Sequence, residues 1–168
     1  MNETMTKRLS EQANAEWASA YLYLAMSADC DRKGLKGFSH WLLLQAQEEM
    51  QHGNKFYQFI LERGEAPVLT DIKASEKTEW ATMTEMFEDV LAHEKKVTAM
   101  INEIATLAIQ ENDHATSIFN QWFITEQVEE EASADEILQT LKFVKEDPAS
   151  VYNLDKELAT RVLEPETE

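Results

Sequence analysis

Apolar residues recur along the chain at the three- and four-residue spacing of helices, with no sustained strand-type alternation. The spacing predicts helix A over 4–32, B over 37–63, C over 79–110, D over 115–145 and a short terminal helix over 149–163. Gly34 and Gly64 sit where helices A and B should close, because glycine takes the left-handed backbone of that position without strain. Asp147-Pro148 reads as the cap and first position of the last helix, and "EPETE" as a frayed acidic tail.

The A–B and C–D connections are short, so each pair should form an antiparallel hairpin. The B–C connection, "GEAPVLTDIKASEKTE", has about 15 residues and can extend to roughly 50 Å. That is enough to return along a helix of about 27 residues, roughly 40 Å long. The expected fold is therefore all-α: a single domain over 1–168, with a four-helix bundle over about 4–145 and one long crossover.

Helix B's inward stripe runs Phe38, Leu42, Gln45, Glu49, His52, Phe56 and Phe59. Helix A offers Leu9, Ala13, Glu16, Ala20, Tyr23 and Ser27; helix C offers Met83, Phe87, Val90, Glu94, Val97, Ile101 and Ile104. Helix D offers Phe123, Gln127, Glu130, Ala134, Ile137, Leu141 and Val144. Each stripe turns polar near its middle. Measured from the two hairpin turns, the polar positions differ by about five residues, roughly 7 Å along an axis, so they should meet in one pocket. Glu16, Glu49, Glu94 and Glu130 buried together need compensation, since an isolated buried charge costs several kcal/mol or more. Two divalent cations would supply it, with neutral His52 as a nitrogen ligand one turn from Glu49. So oxygen-rich a set suits iron or manganese better than a structural zinc. The competing readings are a solvated glutamate face and a hydrogen-bonded core histidine.

Composition narrows the function. A net charge of -17 disfavours nucleic acid and anionic membranes as partners and favours cations. The single Cys30 builds neither an intrachain disulfide nor a cysteine-rich metal site, and the amino terminus has no apolar leader. A cytoplasmic protein is expected.

The segments "EQANAEW", "AQEEMQH", "AHEKKV", "TEQVEEE" and "YNLDKELAT" resemble the ferritin family, specifically the bacterial non-haem ferritins, over essentially the whole chain. The resemblance implies a twenty-four-subunit hollow cage that oxidises Fe(II) with dioxygen or peroxide and stores ferric mineral. It implies a first iron site at Glu16, Glu49 and His52, and a second at Glu49, Glu94 and Glu130 with Gln127 beside it. Tyr23 matches the tyrosine next to that centre, and Glu48, Glu126 and Glu129 with Glu130 match an additional iron site on the cavity side. The terminal helix, with Val151, Leu154, Leu158 and Val162, matches a four-fold contact; simple capping of the bundle is the alternative.

Haem-containing bacterioferritins carry a second Glu-x-x-His on the fourth helix, where this chain reads Gln127-x-x-Glu130. No haem is expected, although Met50 stands at the haem-ligand position. The amide implies a loosely held second iron. A haem-containing bacterioferritin, a soluble di-iron oxidase or peroxidase, and a storage subunit without an oxidation centre are the alternatives.

Overall fold

The structure is a computed structural model and describes residues 1–163, so the acidic tail lies outside the described residues. It contains α1 (Glu3–Arg32), α2 (Lys36–Glu62), α3 (Met83–Gln110), α4 (His114–Val144) and α5 (Pro148–Leu158), with no strand among the described residues.

Polar side chains start four of the five helices by accepting an otherwise unpaired backbone N–H. Asn2 accepts from Met5, Thr82 from Glu85, Asp113 from Thr116 and Asp147 from Ser150. α3 begins at Met83, not at 79 as the apolar pattern predicts. The reason is a capping arrangement: Glu85 reaches back to accept the Ala81 N–H at 2.8 Å, opposite the Thr82 cap. Trp80 is thereby turned out of the helix and buried, its indole N–H donating to Asp89 at 2.8 Å. α5 also stops earlier than expected, at Leu158. Val151, Leu154 and Leu158 are buried as the pattern requires, but Val162 is 73 % exposed, because the chain leaves the helix before reaching it.

α1 pairs with α2 and α3 with α4, α1 also meets α3, and α5 packs chiefly on α2. The crossover between α2 and α3 runs along α1. There Asn14 exchanges hydrogen bonds with the backbone of Val68 and Thr70, and the Ser10 hydroxyl accepts the Val68 N–H. α2 and α4 stand apart: among the described residues, no Cα of one comes within 8 Å of the other, and long side chains span the gap.

The core is two apolar clusters. One gathers Tyr23, Phe38, Trp41, Phe87 and Leu138 with the inner face of α5; the other gathers Leu9, Phe56, Ile60, Ile101 and Phe123. On every long helix the polar interruption falls between the segments that feed the two clusters. No helix is long and apolar enough to cross a membrane.

Candidate metal centre

The layer between the clusters is made of Glu16, Glu49, His52, Glu94, Gln127 and Glu130, every one buried. Each points inward for the same reason its leucine and phenylalanine neighbours do: it occupies a core position of an amphipathic helix. The expected meeting of these residues at one level is what the structure has.

Glu16, Glu49 and His52 each offer a ligand atom, and these atoms lie within 4.8 Å of one another. His52, Glu126 and Glu130 form a second such triplet that shares the imidazole. His52 is held edge-on by Trp122 and Phe123, at centroid distances of 5.4 and 5.9 Å, and its Nδ1 lies 3.7 Å from Glu49 Oε2. Glu94 joins neither triplet. Its carboxylate accepts from the Tyr23 hydroxyl on one oxygen and from Gln127 Nε2 at 3.2 Å on the other. Gln127 also donates to Thr98 and to the Glu94 carbonyl, so its amide anchors Glu94.

Two glutamines missing from the candidate set hold the remaining carboxylates. Gln12 donates to Glu16 Oε1 at 2.8 Å. Gln45 donates to Glu130 Oε2 at 2.7 Å and to Glu49 Oε1 at 3.3 Å, spanning α2 and α4. Both were legible in principle: Gln45 lies on the helix B stripe, and Gln12 stands one turn before Glu16.

The electrostatics are those of an incompletely compensated anionic pocket. Burial, then the Glu49 charge, pushes the Glu16 carboxyl well above its ordinary value. Burial, then Glu94, does the same to Glu49 and Glu130. Glu94 is also raised by burial, although the Tyr23 and Gln127 hydrogen bonds pull the other way. Glu16 Oε2 and Glu49 Oε2 are buried with no donor from elsewhere in the described residues; only a proton shared between the two carboxyls serves them. Buried acceptors without donors cost about 1–3 kcal/mol each, more when charged. A cation relieves both that cost and the mutual repulsion, so the donor set fits divalent metal.

Beside this layer, Glu48, Glu126, Glu129 and Glu130 line a cavity of about 270 Å³ that Arg161 also enters. Glu48 and Glu126 are half-buried and Glu129 is exposed, so this pocket opens outward from the main one. Met50 is 43 % exposed. His114 is exposed, whereas His93 packs edge-on to Tyr23 at 5.8 Å and shares a 2.7 Å hydrogen bond with Ser19. Burial holds the His93 imidazole down at about 4, so it is neutral near pH 7.

Comparison with known proteins gives the chain a family. Residues 6–144 match the Ferritin family, described as a ferritin-like domain. The chain is 40% identical over 161 residues to a bacterial non-heme ferritin of Staphylococcus saprophyticus, covering 96% of each chain. It is 37% identical to a probable bacterial non-heme ferritin-like protein of Haemophilus influenzae, covering 94% of this chain and 95% of that one. Among solved structures, an open pore ferritin from the hyperthermophilic archaeon Archaeoglobus fulgidus superposes with a TM-score of 0.94 at 44% identity. That match covers 96% of this chain and 99% of the other.

Proposed function

The chain belongs to the ferritin family of iron-storage proteins, and from that premise we propose that it is a ferroxidase depositing ferric mineral inside a cage of its own copies. The observation that carries the proposal is the buried Glu16/Glu49/His52 triplet, whose ligand atoms lie within 4.8 Å of one another. Storage alone would need only exposed carboxylates. A pocket that buries four of them and raises their proton affinity is a place where cations are drawn in and held close together.

In this reading Fe(II) is substrate. Glu16, Glu49 and His52 take one ion; Glu49, Glu94 and Glu130 take the other, with Glu49 bridging. Gln127 holds Glu94 and offers an amide, a poorer ligand than an imidazole, so the second ion is the more loosely held. The redox chemistry belongs to the iron, and the protein supplies orientation and charge. Each ion gives up one electron. Dioxygen accepting two electrons and two protons leaves as hydrogen peroxide; peroxide accepting the same leaves as two waters. The pocket of Glu48, Glu126, Glu129 and Glu130 then receives iron on its way to the mineral. Tyr23 touches the centre through Glu94, and a cytoplasmic cage of twenty-four subunits is the assembly this reading implies.

Size-exclusion chromatography during aerobic Fe(II) loading tests the proposal. A large assembly that oxidises iron rapidly and retains it as mineral supports it. A small oligomer that accumulates no mineral would point to a di-iron oxidase, and slow air-rate oxidation to a storage subunit without a centre. A haem absorbance band in purified protein would favour a bacterioferritin.

A further inference from the structure

We propose that Arg161 is a positioning residue that occupies the acidic pocket as a built-in cation and must be displaced from Glu48 when a metal ion enters. The inference rests on the reading of that pocket as an iron site.

Arg161 lies beyond the end of α5, on a segment that folds back along α2. Its carbonyl is paired with the His40 imidazole at 2.9 Å, and its guanidinium lies over the Trp41 ring at 4.5 Å. Nη1 donates to the Trp41 carbonyl at 3.1 Å and to Gln45 Oε1 at 3.0 Å; Nη2 donates to Glu48 Oε2 at 2.5 Å. Both members of the ion pair are largely shielded, with side chains 21% and 18% exposed. A planar, permanently charged fork on an aromatic face is the arrangement arginine makes and lysine does not.

Two consequences follow from these contacts. First, engaging Gln45 Oε1 turns the NH₂ end of that amide toward Glu130 and Glu49. The reversed amide would set an acceptor against two carboxylates. Arg161 thus orients a donor shared by both pockets without touching either triplet. Second, Glu48 cannot serve the guanidinium and a dication at full strength together, and the two cations repel across a cavity they share. A metal ion that takes Glu48 therefore releases Nη2 and loosens residues 159–163. The pocket consequently holds iron more weakly than its four carboxylates would alone, which suits a stage that passes iron onward.

Calorimetric titration of metal-stripped protein with Zn²⁺, a redox-inert probe, tests this, with wild type, Arg161→Gln, Arg161→Lys and a Glu126→Ala/Glu129→Ala double variant. The expected result is a third, weak Zn²⁺ in wild type that the double variant loses. Arg161→Gln should bind it roughly tenfold more tightly, the scale of a charged hydrogen bond, and Arg161→Lys should stay nearer wild type. Amide hydrogen exchange of residues 159–163 in wild type should rise as the third ion binds. An unchanged third affinity in Arg161→Gln, or no change in exchange on filling, would overturn the proposal. Weaker binding at all three sites would mark a merely structural residue and overturn it as well. If wild type binds no third ion, or the double variant keeps it, the pocket itself is misread and the role of Arg161 goes with it.

Discussion

The hydroxyl of Tyr23 on α1 donates to the carboxylate of Glu94 on α3, tying two helices together at the level of the buried acidic layer. Burial, then the Glu94 charge, pushes the Tyr23 phenol well above its ordinary value, so the hydroxyl stays protonated and remains a donor. Replacing it leaves Glu94 with Gln127 as its only side-chain donor among the described residues. Tyr23→Phe should slow the first oxidation by roughly two- to tenfold without abolishing it, the range expected for one lost hydrogen bond of about 0.5–1.5 kcal/mol. Rapid-mixing absorbance at two Fe(II) per subunit measures this. A wild-type rate would show that Tyr23 matters to packing alone.

A second relationship concerns assembly of the subunit. α2 has no side-chain cap of its own, and Asp155 of α5 accepts the Gly37 and Phe38 N–H groups at 2.7 and 3.0 Å. The approach is so close that a Cβ at Gly37 would sit 1.6 Å from the Asp155 carbonyl oxygen. Asp155→Ala should cost about 1–2 kcal/mol, as loss of a helix cap does, and Asp155→Asn, which keeps an acceptor, should cost less. Gly37→Ala should push α5 off α2 and expose Leu154 and Leu158. Thermal melts of the three variants check the order. Equal melting of Asp155→Ala and wild type would leave α5 as a loose appendage.

The chain's pattern carried the bundle and the polar layer further than it carried the elements' ends. Glu16, Glu49, His52, Glu94 and Glu130 were legible because each breaks an apolar stripe at a core position, and burial is periodic. The start of α3 was not, since Trp80 is as apolar as a helix residue should be, and only the Thr82/Glu85 cap excludes it. Arg161 was not legible either. It acts from outside any helix, and no periodicity brings residue 161 to residue 48.

The raised carboxyls make stability depend on pH in a definite direction. Glu16, Glu49, Glu94 and Glu130 hold protons in the folded, metal-free protein above their ordinary value of 4.5. Their contribution is complete below that value and is lost as pH rises through the raised folded values. The metal-free protein should therefore melt higher near pH 5.5 than near pH 7.5, by roughly 2–4 °C for each kcal/mol involved. Asp29 works oppositely: burial raises it, but hydrogen bonds from Lys33, Arg32 and the Trp80 N–H hold it below its ordinary 3.8. Its contribution is present above that value and lost as pH falls through the lowered one. Zn²⁺ should abolish or invert the rise toward pH 5.5, because bound metal replaces the protons. Melting curves with chelator and with Zn²⁺ decide this. A chelated protein more stable at pH 7.5 would contradict the pocket's electrostatics.

Glu49 faces Glu16 and His52 on one side and is joined through Gln45 to Glu130 on the other, so both proposed iron positions depend on it. The most direct test is rapid-mixing absorbance of Glu49→Ala beside wild type, after adding two Fe(II) per subunit in air. The account predicts that Glu49→Ala loses the fast oxidation phase, with its rate falling roughly a hundredfold or more as both ions lose a shared ligand. His52→Ala should weaken chiefly the first position and keep part of the phase. A Glu49→Ala protein that oxidised its first two irons at the wild-type rate would contradict the account, because the buried layer would not be where the oxidation takes place.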